Sequence, residues 1–146
     1  MRRSWQPWRQ DEWIRKLAAG RATFAFETTL ASRSLGPWLK NLLATDYQFH
    51  LVFLWLPSVD LAVARVADRV QMGGHDIPEA TIRRRYRAGL KNFWAIYRPL
   101  ATSWRVYNNA EPRGMRWLAS GRGMEALRIY DIAGWKLFES KGYYDA

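Results

Sequence analysis

Phe49-His50-Leu51-Val52-Phe53-Leu54-Trp55-Leu56 is a nearly unbroken apolar stretch, bounded by Asp46 before it and Pro57 after it. A run of this kind suits a strand buried on both faces, as in a parallel sheet covered by helices on either side. Ser58 follows at once and can cap a helix on which Val63, Val66, Ala67 and Val70 fall at i, i+3, i+4 and i+7. Gly73-Gly74-His75-Asp76-Ile77-Pro78 breaks that helix. A further helix then runs to about Tyr97, with Ile82, Tyr86, Leu90, Phe93 and Tyr97 as its buried stripe and Pro99 as its end.

Upstream, Asp11 to Ala19 reads as a helix with Trp13, Ile14 and Leu17 on one side and Gly20 as its stop. Thr23-Phe24-Ala25-Phe26 reads as a short strand ending at Glu27, and Ser32 or Ser34 can cap a helix running to about Ala44. Downstream, Trp104 to Tyr107 reads as a strand leading into Asn108-Asn109. Trp117–Ala119 and Ala126–Tyr130 read as a hairpin around Gly121-Arg122-Gly123, and Asp131 caps a last helix through Phe138. Helices alternating with apolar strands predict an α/β fold with a parallel core, in one domain without repeat or linker.

The chain has 146 residues, enough to bury a core without staples. No cysteine is present, which excludes disulfide scaffolds, thiolate metal sites and cysteine nucleophiles. Two histidines, His50 and His75, exclude a His-rich metal site, so no metal ligands are assigned. Net charge is +10. Of 23 basic residues five are lysine (Lys16, Lys40, Lys91, Lys136, Lys141) and the rest arginine. Arginine holds phosphate in a planar fork, which points to phosphate-bearing partners. The longest apolar run, Leu51–Leu56, falls far short of the roughly 20 residues of a spanning helix. The terminus Met1–Arg9 lacks the apolar core of a signal peptide, so a cytoplasmic protein with no membrane partner is expected. Trp5–Trp13 as a membrane-surface segment is the weaker reading beside a frayed basic terminus.

Three constellations could carry chemistry. Glu27-Thr28-Thr29 places a carboxylate and two hydroxyls at the carboxyl end of an apolar strand, where ligands bind in open α/β sheets. Its bland alternative is a loop satisfying the next helix N-terminus. Arg65 and Arg69 lie one turn apart, and Arg83-Arg84-Arg85 with Arg87 follow the glycine-rich break. Two arginine-bearing helices on a glycine hinge would form a lid over phosphates. A solvated basic face is the alternative. At roughly 100° per residue, Arg83 falls beside the apolar stripe and Arg84 nearly opposite it. His75-Asp76 reads as a turn, with Asp76 capping the helix after Pro78, rather than as an acid–base pair. Trp38, Trp55, Trp94 and Trp104 fall on strands or helix stripes, so core packing is favoured over base stacking. No lysine follows a glycine, so the Walker phosphate loop is absent.

The segment Thr23-Phe24-Ala25-Phe26-Glu27-Thr28-Thr29-Leu30 resembles the corresponding segment of zeta-toxin-like P-loop kinases. His50 to Ser58 resembles the next core strand of those bacterial proteins. Arg65 through Gly74-His75-Asp76-Ile77-Pro78 to Tyr86 is similar to their lid, and Trp104 to Asn109 to their last core strand and the loop near the nucleotide base. The resemblance spans about Asp11 to Phe138. It implies a P-loop NTPase-like three-layer parallel sheet with a small C-terminal hairpin and helix. It also implies ATP-dependent phosphorylation of a small-molecule hydroxyl, a UDP-activated amino sugar in zeta toxins proper, with ATP and Mg as cofactors and an antitoxin as partner. Glu27, Thr28 and Thr29 would face the substrate. Arg69 and one of Arg83 or Arg84 would touch the phosphates in catalysis, and Asn108 and Asn109 would lie near the adenine.

Family members begin with a strand, the Walker loop and its helix, then a strand carrying an aspartate. This chain starts after both, so residues 11–146 read as a partial kinase domain lacking its first strand, and 1–10 as an unassigned basic terminus. The strands at Glu27 and at His50–Leu56 would then pair with each other, leave a gap, or accept a partner. Activity from this chain alone is not expected. The alternatives are a basic nucleic-acid-binding module, with nucleic acid the less favoured partner, and a fragment without selected activity.

Overall fold

The computed structural model describes residues 7–110, 112 and 114–144. Trp5 and Gln6 of the Trp5–Trp13 segment, and residues 1–6 of the terminus read as unassigned, lie outside the described residues. Helix α1 begins at Pro7, earlier than the Asp11 expected from sequence, and runs to Ala19. It buries Ile14 while Trp13 stays 61% exposed, so those two do not share the core-facing side. Helix α2 spans Leu35–Leu43. Ser34 stands at its N-cap but makes no capping hydrogen bond.

The apolar run Phe49–Leu56 forms strand β1, His50–Trp55. Helix α3, Val59–Gln71, starts at Ser58, whose hydroxyl accepts the Leu61 N–H at 3.2 Å. Helix α4, Glu79–Asn92, is extended by a wider π turn, Phe93–Tyr97, and by the short helix α5, Arg98–Leu100. The helical path therefore passes through Pro99 rather than ending before it. Asp76 makes no cap on α4; Pro78 occupies that position. Strands β2 (Ser103–Asn108), β3 (Arg116–Arg122) and β4 (Glu125–Ile129) follow, then helix α6, Ile132–Tyr144. Asp131 Oδ1 accepts the Gly134 N–H at 3.0 Å, the N-terminal cap expected for that helix.

These strands form one sheet in the order β1-β2-β3-β4. Only β1 and β2 are parallel; β2–β3 and β3–β4 are antiparallel. The chain is thus mixed α/β, and the all-parallel core expected from sequence gives way to a mixed sheet. Thr23–Phe26 is the second departure: it is extended but belongs to no ladder. Side chains hold it instead of backbone bonds. Phe24 meets Trp38 and Tyr47, each at 6.3 Å between ring centroids, and the Tyr47 hydroxyl donates to Ala22 O at 2.9 Å.

One face of the sheet carries the core. The β1–β2 register sets Leu51 beside Trp104 and Phe53 beside Val106, so these side chains share a face. Phe93, Trp94, Trp135 and Phe138 close over that face. Trp104 and Trp135 stack at 5.5 Å with 9° between planes. Trp55, Trp94 and Trp104 are buried and Trp38 packs against the core, as the sequence pattern indicated. On the opposite face Val52 is 57% and Leu54 49% exposed, so β1 is covered on one side only. Among the described residues, no helix is long and apolar enough to cross a membrane.

Tyr97 is fully buried, and its hydroxyl donates to the Ser32 carbonyl. Burial raises its pKa above the ordinary 10.0, against an opposing backbone hydrogen bond from Leu35. The folded value therefore exceeds the unfolded one. Its contribution to stability is full below the unfolded pKa and is lost as pH rises through the folded pKa. Denaturation midpoints followed from about pH 8 to about pH 12 should fall less steeply for Tyr97→Phe than for the parent chain.

Candidate functional site

A cavity of about 1220 Å³ lies between the Thr23–Leu30 segment and β1, with α3 and α4 closing one end. Helical periodicity explains which residues reach it. Ala62, Arg65, Val66 and Arg69 on α3, at i, i+3, i+4 and i+7, all line it. On α4, Ile82, Arg85, Tyr86 and Gly89 do the same with identical spacing. The α3 face is thus offset from the valine stripe expected from sequence; of that stripe only Val66 is buried.

Glu27, Thr28 and Thr29 line it too, in a turn that packs against α4 at Gly89 and Asn92. Thr28 Oγ1 accepts the Leu30 N–H at 3.1 Å, and Thr29 Oγ1 accepts the Ala31 N–H at 3.4 Å. Each hydroxyl thereby stiffens its own turn and keeps its proton to donate. Leu30 sits at a φ of 57°, a left-handed conformation rare for leucine. Asn92 holds it there. This side chain, 5% exposed, donates Nδ2 to the carbonyls of Leu30 at 2.7 Å and Ala31 at 3.2 Å. Gly89 makes the approach possible, since a Cβ at that position would stand 2.3 Å from the Thr29 carbonyl oxygen. Gln10 Nε2 secures the Glu27 carbonyl at 2.9 Å.

The arginines divide by role. Arg65 donates to the carbonyls of Asn109 at 2.9 Å and Ala110 at 3.5 Å, while lining the cavity. Arg69 and Arg85 line it without an ion pair among the described residues. Arg83 does not line it. Its guanidinium binds Asp60 Oδ1 at 2.8 Å and Glu79 Oε1 at 2.8 Å, tying α4 to the start of α3. Those two bonds raise its pKa, Asp60 contributing most. Arg84 is exposed and also lies outside the cavity lining.

The glycine pair between these helices has a definite geometry. Gly73 has a φ of 90°, and the Gly73 and Gly74 N–H groups donate to Val70 O at 3.0 Å and Arg69 O at 2.8 Å. This is a Schellman stop at the end of α3, in which the glycines satisfy the last carbonyls of the helix. His75 and Asp76 follow as exposed loop residues outside the cavity lining.

Asn108 and Asn109 lie at the end of β2 and outside the lining as well. Asn108 Oδ1 accepts the Ala110 N–H at 2.9 Å, and the Asn109 N–H donates to Trp55 O at 2.8 Å. The fold therefore brings Glu27, Thr28, Thr29 and Arg69 to one cavity and leaves Arg83, Arg84, Asn108 and Asn109 out of it. From the arginine run after the break it selects Arg85, and it adds Tyr86 and Gly89 to the lining, with Asn92 buried behind the Leu30–Ala31 turn. The available signal was spacing: Arg85 and Gly89 stand at i and i+4 on one face of α4.

Chemically, the cavity offers arginine forks at one end and a carboxylate with two hydroxyls along a wall. Groups of these kinds can hold a phosphate-bearing molecule and orient its hydroxyl groups. No Walker loop is present in the sequence, and no group of three His, Cys, Asp or Glu among the described residues could hold a metal ion. The loop that would cradle ATP phosphates in a P-loop enzyme is therefore not supplied by these residues.

No family model matches the sequence, and no solved structure matches it. The chain is 32% identical to an uncharacterised protein of Haemophilus influenzae over 63 residues, which is 43% of this chain and 45% of the relative. The match thus spans less than half the length of that relative.

Proposed function

We propose that the chain is the substrate-holding part of a zeta-toxin-like P-loop kinase domain. In this reading it binds a phosphate-bearing small molecule of the UDP-amino sugar type and does not turn over ATP alone. The observation that carries it is the convergence of Arg65, Arg69 and Arg85 on the cavity that Glu27, Thr28 and Thr29 also line. The arginines would take the diphosphate, and the Glu27 carboxylate would accept a hydrogen bond from a substrate hydroxyl. Phosphoryl transfer would require a phosphate loop from another polypeptide. Arg69, already named for the phosphates, keeps that role; Arg85 replaces Arg83 and Arg84, since Arg83 is committed to Asp60 and Glu79.

Calorimetric titration with UDP-N-acetylglucosamine tests the reading. Binding is expected, weakened about tenfold by Arg69→Ala and changed less than about twofold by Arg83→Ala. ATP should give neither binding heat nor hydrolysis. Absence of sugar-nucleotide binding, or equal loss in the two variants, would overturn it.

One observation favours a second reading, a nucleic-acid-binding module. On the sheet face away from the core, Trp117 stacks on Tyr107 at 5.7 Å and on Tyr130 at 4.1 Å, with Arg105 5.4 Å above Trp117. Single-stranded RNA bound with steep salt dependence, and lost in Trp117→Ala, would support that reading instead.

A further inference from the structure

The unpaired edge of β1 and the extended Thr23–Thr29 segment face each other across the cavity. Backbone groups along a strand alternate between its two edges. The carbonyls of Phe49 and Trp55 accept bonds from Thr102 and Asn109 on the β2 side. The N–H and C=O groups of His50, Val52 and Leu54 therefore point to the other edge, toward the cavity. Leu56 continues this alternation, and its carbonyl is taken by the Tyr86 hydroxyl at 2.6 Å. β1 is an end strand of the sheet, and the side chains of Val52 and Leu54 are about half exposed. A long apolar edge of this kind is a template for pairing with another strand.

The space has room for one strand. Six extended residues span about 20 Å, and one strand occupies about 4.8 Å by about 10 Å across, on the order of 1000 Å³. The cavity measures about 1220 Å³. Its walls state the chemistry of the occupant: Phe24, Phe26, Leu51, Phe53 and Leu39 along its length are apolar, and Arg65, Arg69 and Arg85 stand at the end where β1 finishes.

We propose that this slot accepts a single extended apolar segment of another polypeptide, hydrogen-bonded to β1 and carrying acidic residues at the end that meets the arginines. A second copy's β1 does not fit, because its far edge is already held by β2 while the slot is bounded on both sides. Residues 1–6 of this chain, with Arg2 and Arg3, lack the apolar run and the negative charge. The segment would fill the same cavity and meet the same three arginines as the sugar nucleotide, so the two would compete, and either can bind where the other does not.

The test uses the full chain and a fluorescein-labelled peptide, acetyl-Thr-Val-Ile-Val-Leu-Val-Asp-Glu-amide. Binding with a Kd near 10 μM is expected, with slowed amide exchange at Val52 and Leu54. The same peptide N-methylated at alternate residues keeps its side chains and loses its donors, so it should bind at least about tenfold more weakly. Equal binding of the N-methylated peptide, no change in exchange at β1, or no binding at about 1 mM peptide would each overturn strand addition. Equal binding after Asp-Glu is replaced by Lys-Lys would overturn the acidic end.

Discussion

Phe138→Ala should lower the free energy of unfolding by about 3–5 kcal/mol, a large share of the roughly 5–15 kcal/mol available to a domain. Phe138 is fully buried, and five aromatic rings surround it. Phe53 lies at 5.8 Å, Trp55 at 5.2 Å, Phe93 at 5.4 Å, Trp94 at 5.0 Å and Trp135 at 5.5 Å between centroids. These rings come from β1, the π turn and α6, so the truncation opens a cavity where three elements meet. Large flat rings held by several elements cannot collapse into the space, which puts the loss at the high end of core truncations. Urea denaturation should show a lower midpoint with an unchanged slope. A loss under about 1 kcal/mol would mean that the aromatic cluster does not organise the core.

Gly89→Ala is expected to act with the opposite sign from an ordinary helix substitution. In an exposed helix the change to alanine gains about 1 kcal/mol. Here the added Cβ would stand 2.3 Å from the Thr29 carbonyl oxygen, and that atom is backbone, so it cannot swing aside. The overlap should cost about 1–3 kcal/mol beyond the propensity gain and push Thr29 away from α4. Leu30 and Ala31 are fastened to Asn92 just beyond, so the displacement falls on Thr28 and Thr29 at the cavity wall. Sugar-nucleotide affinity should fall about tenfold with the loss of stability. A variant of increased stability and full affinity would contradict this account of the wall.

Much of the fold was legible because its signals are local. The Ser58 cap, the glycine-centred hairpin and the Asp131 cap each rest on residues within a few positions of one another. Thr23–Phe26 shows the limit. Its alternation declares an extended chain, yet whether that chain pairs depends on a neighbour in space. The side on which β1 is covered is likewise a property of the assembled sheet, and its unbroken apolar run conceals the exposure of Val52 and Leu54. Gly73-Gly74 reads as a hinge from composition alone, but its hydrogen bonds to Val70 and Arg69 make a helix stop. On α4 the wheel set Arg83 beside packed structure and Arg84 in solvent, as found, but neither lines the cavity. Choosing Arg85 required knowing that Gly89 touches Thr29, a contact sixty residues apart in sequence.

Backbone chemical-shift mapping with UDP-N-acetylglucosamine tests the central claim most directly. Titrating the sugar nucleotide into ¹⁵N-labelled protein should shift the amides of Glu27, Thr28, Thr29, Arg69 and Arg85. Arg83, Arg84 and the Tyr107–Trp117 face should stay unmoved. Shifts confined to that face, or no saturable shift along the cavity, would contradict the assignment of the cavity as a phosphate-ligand site.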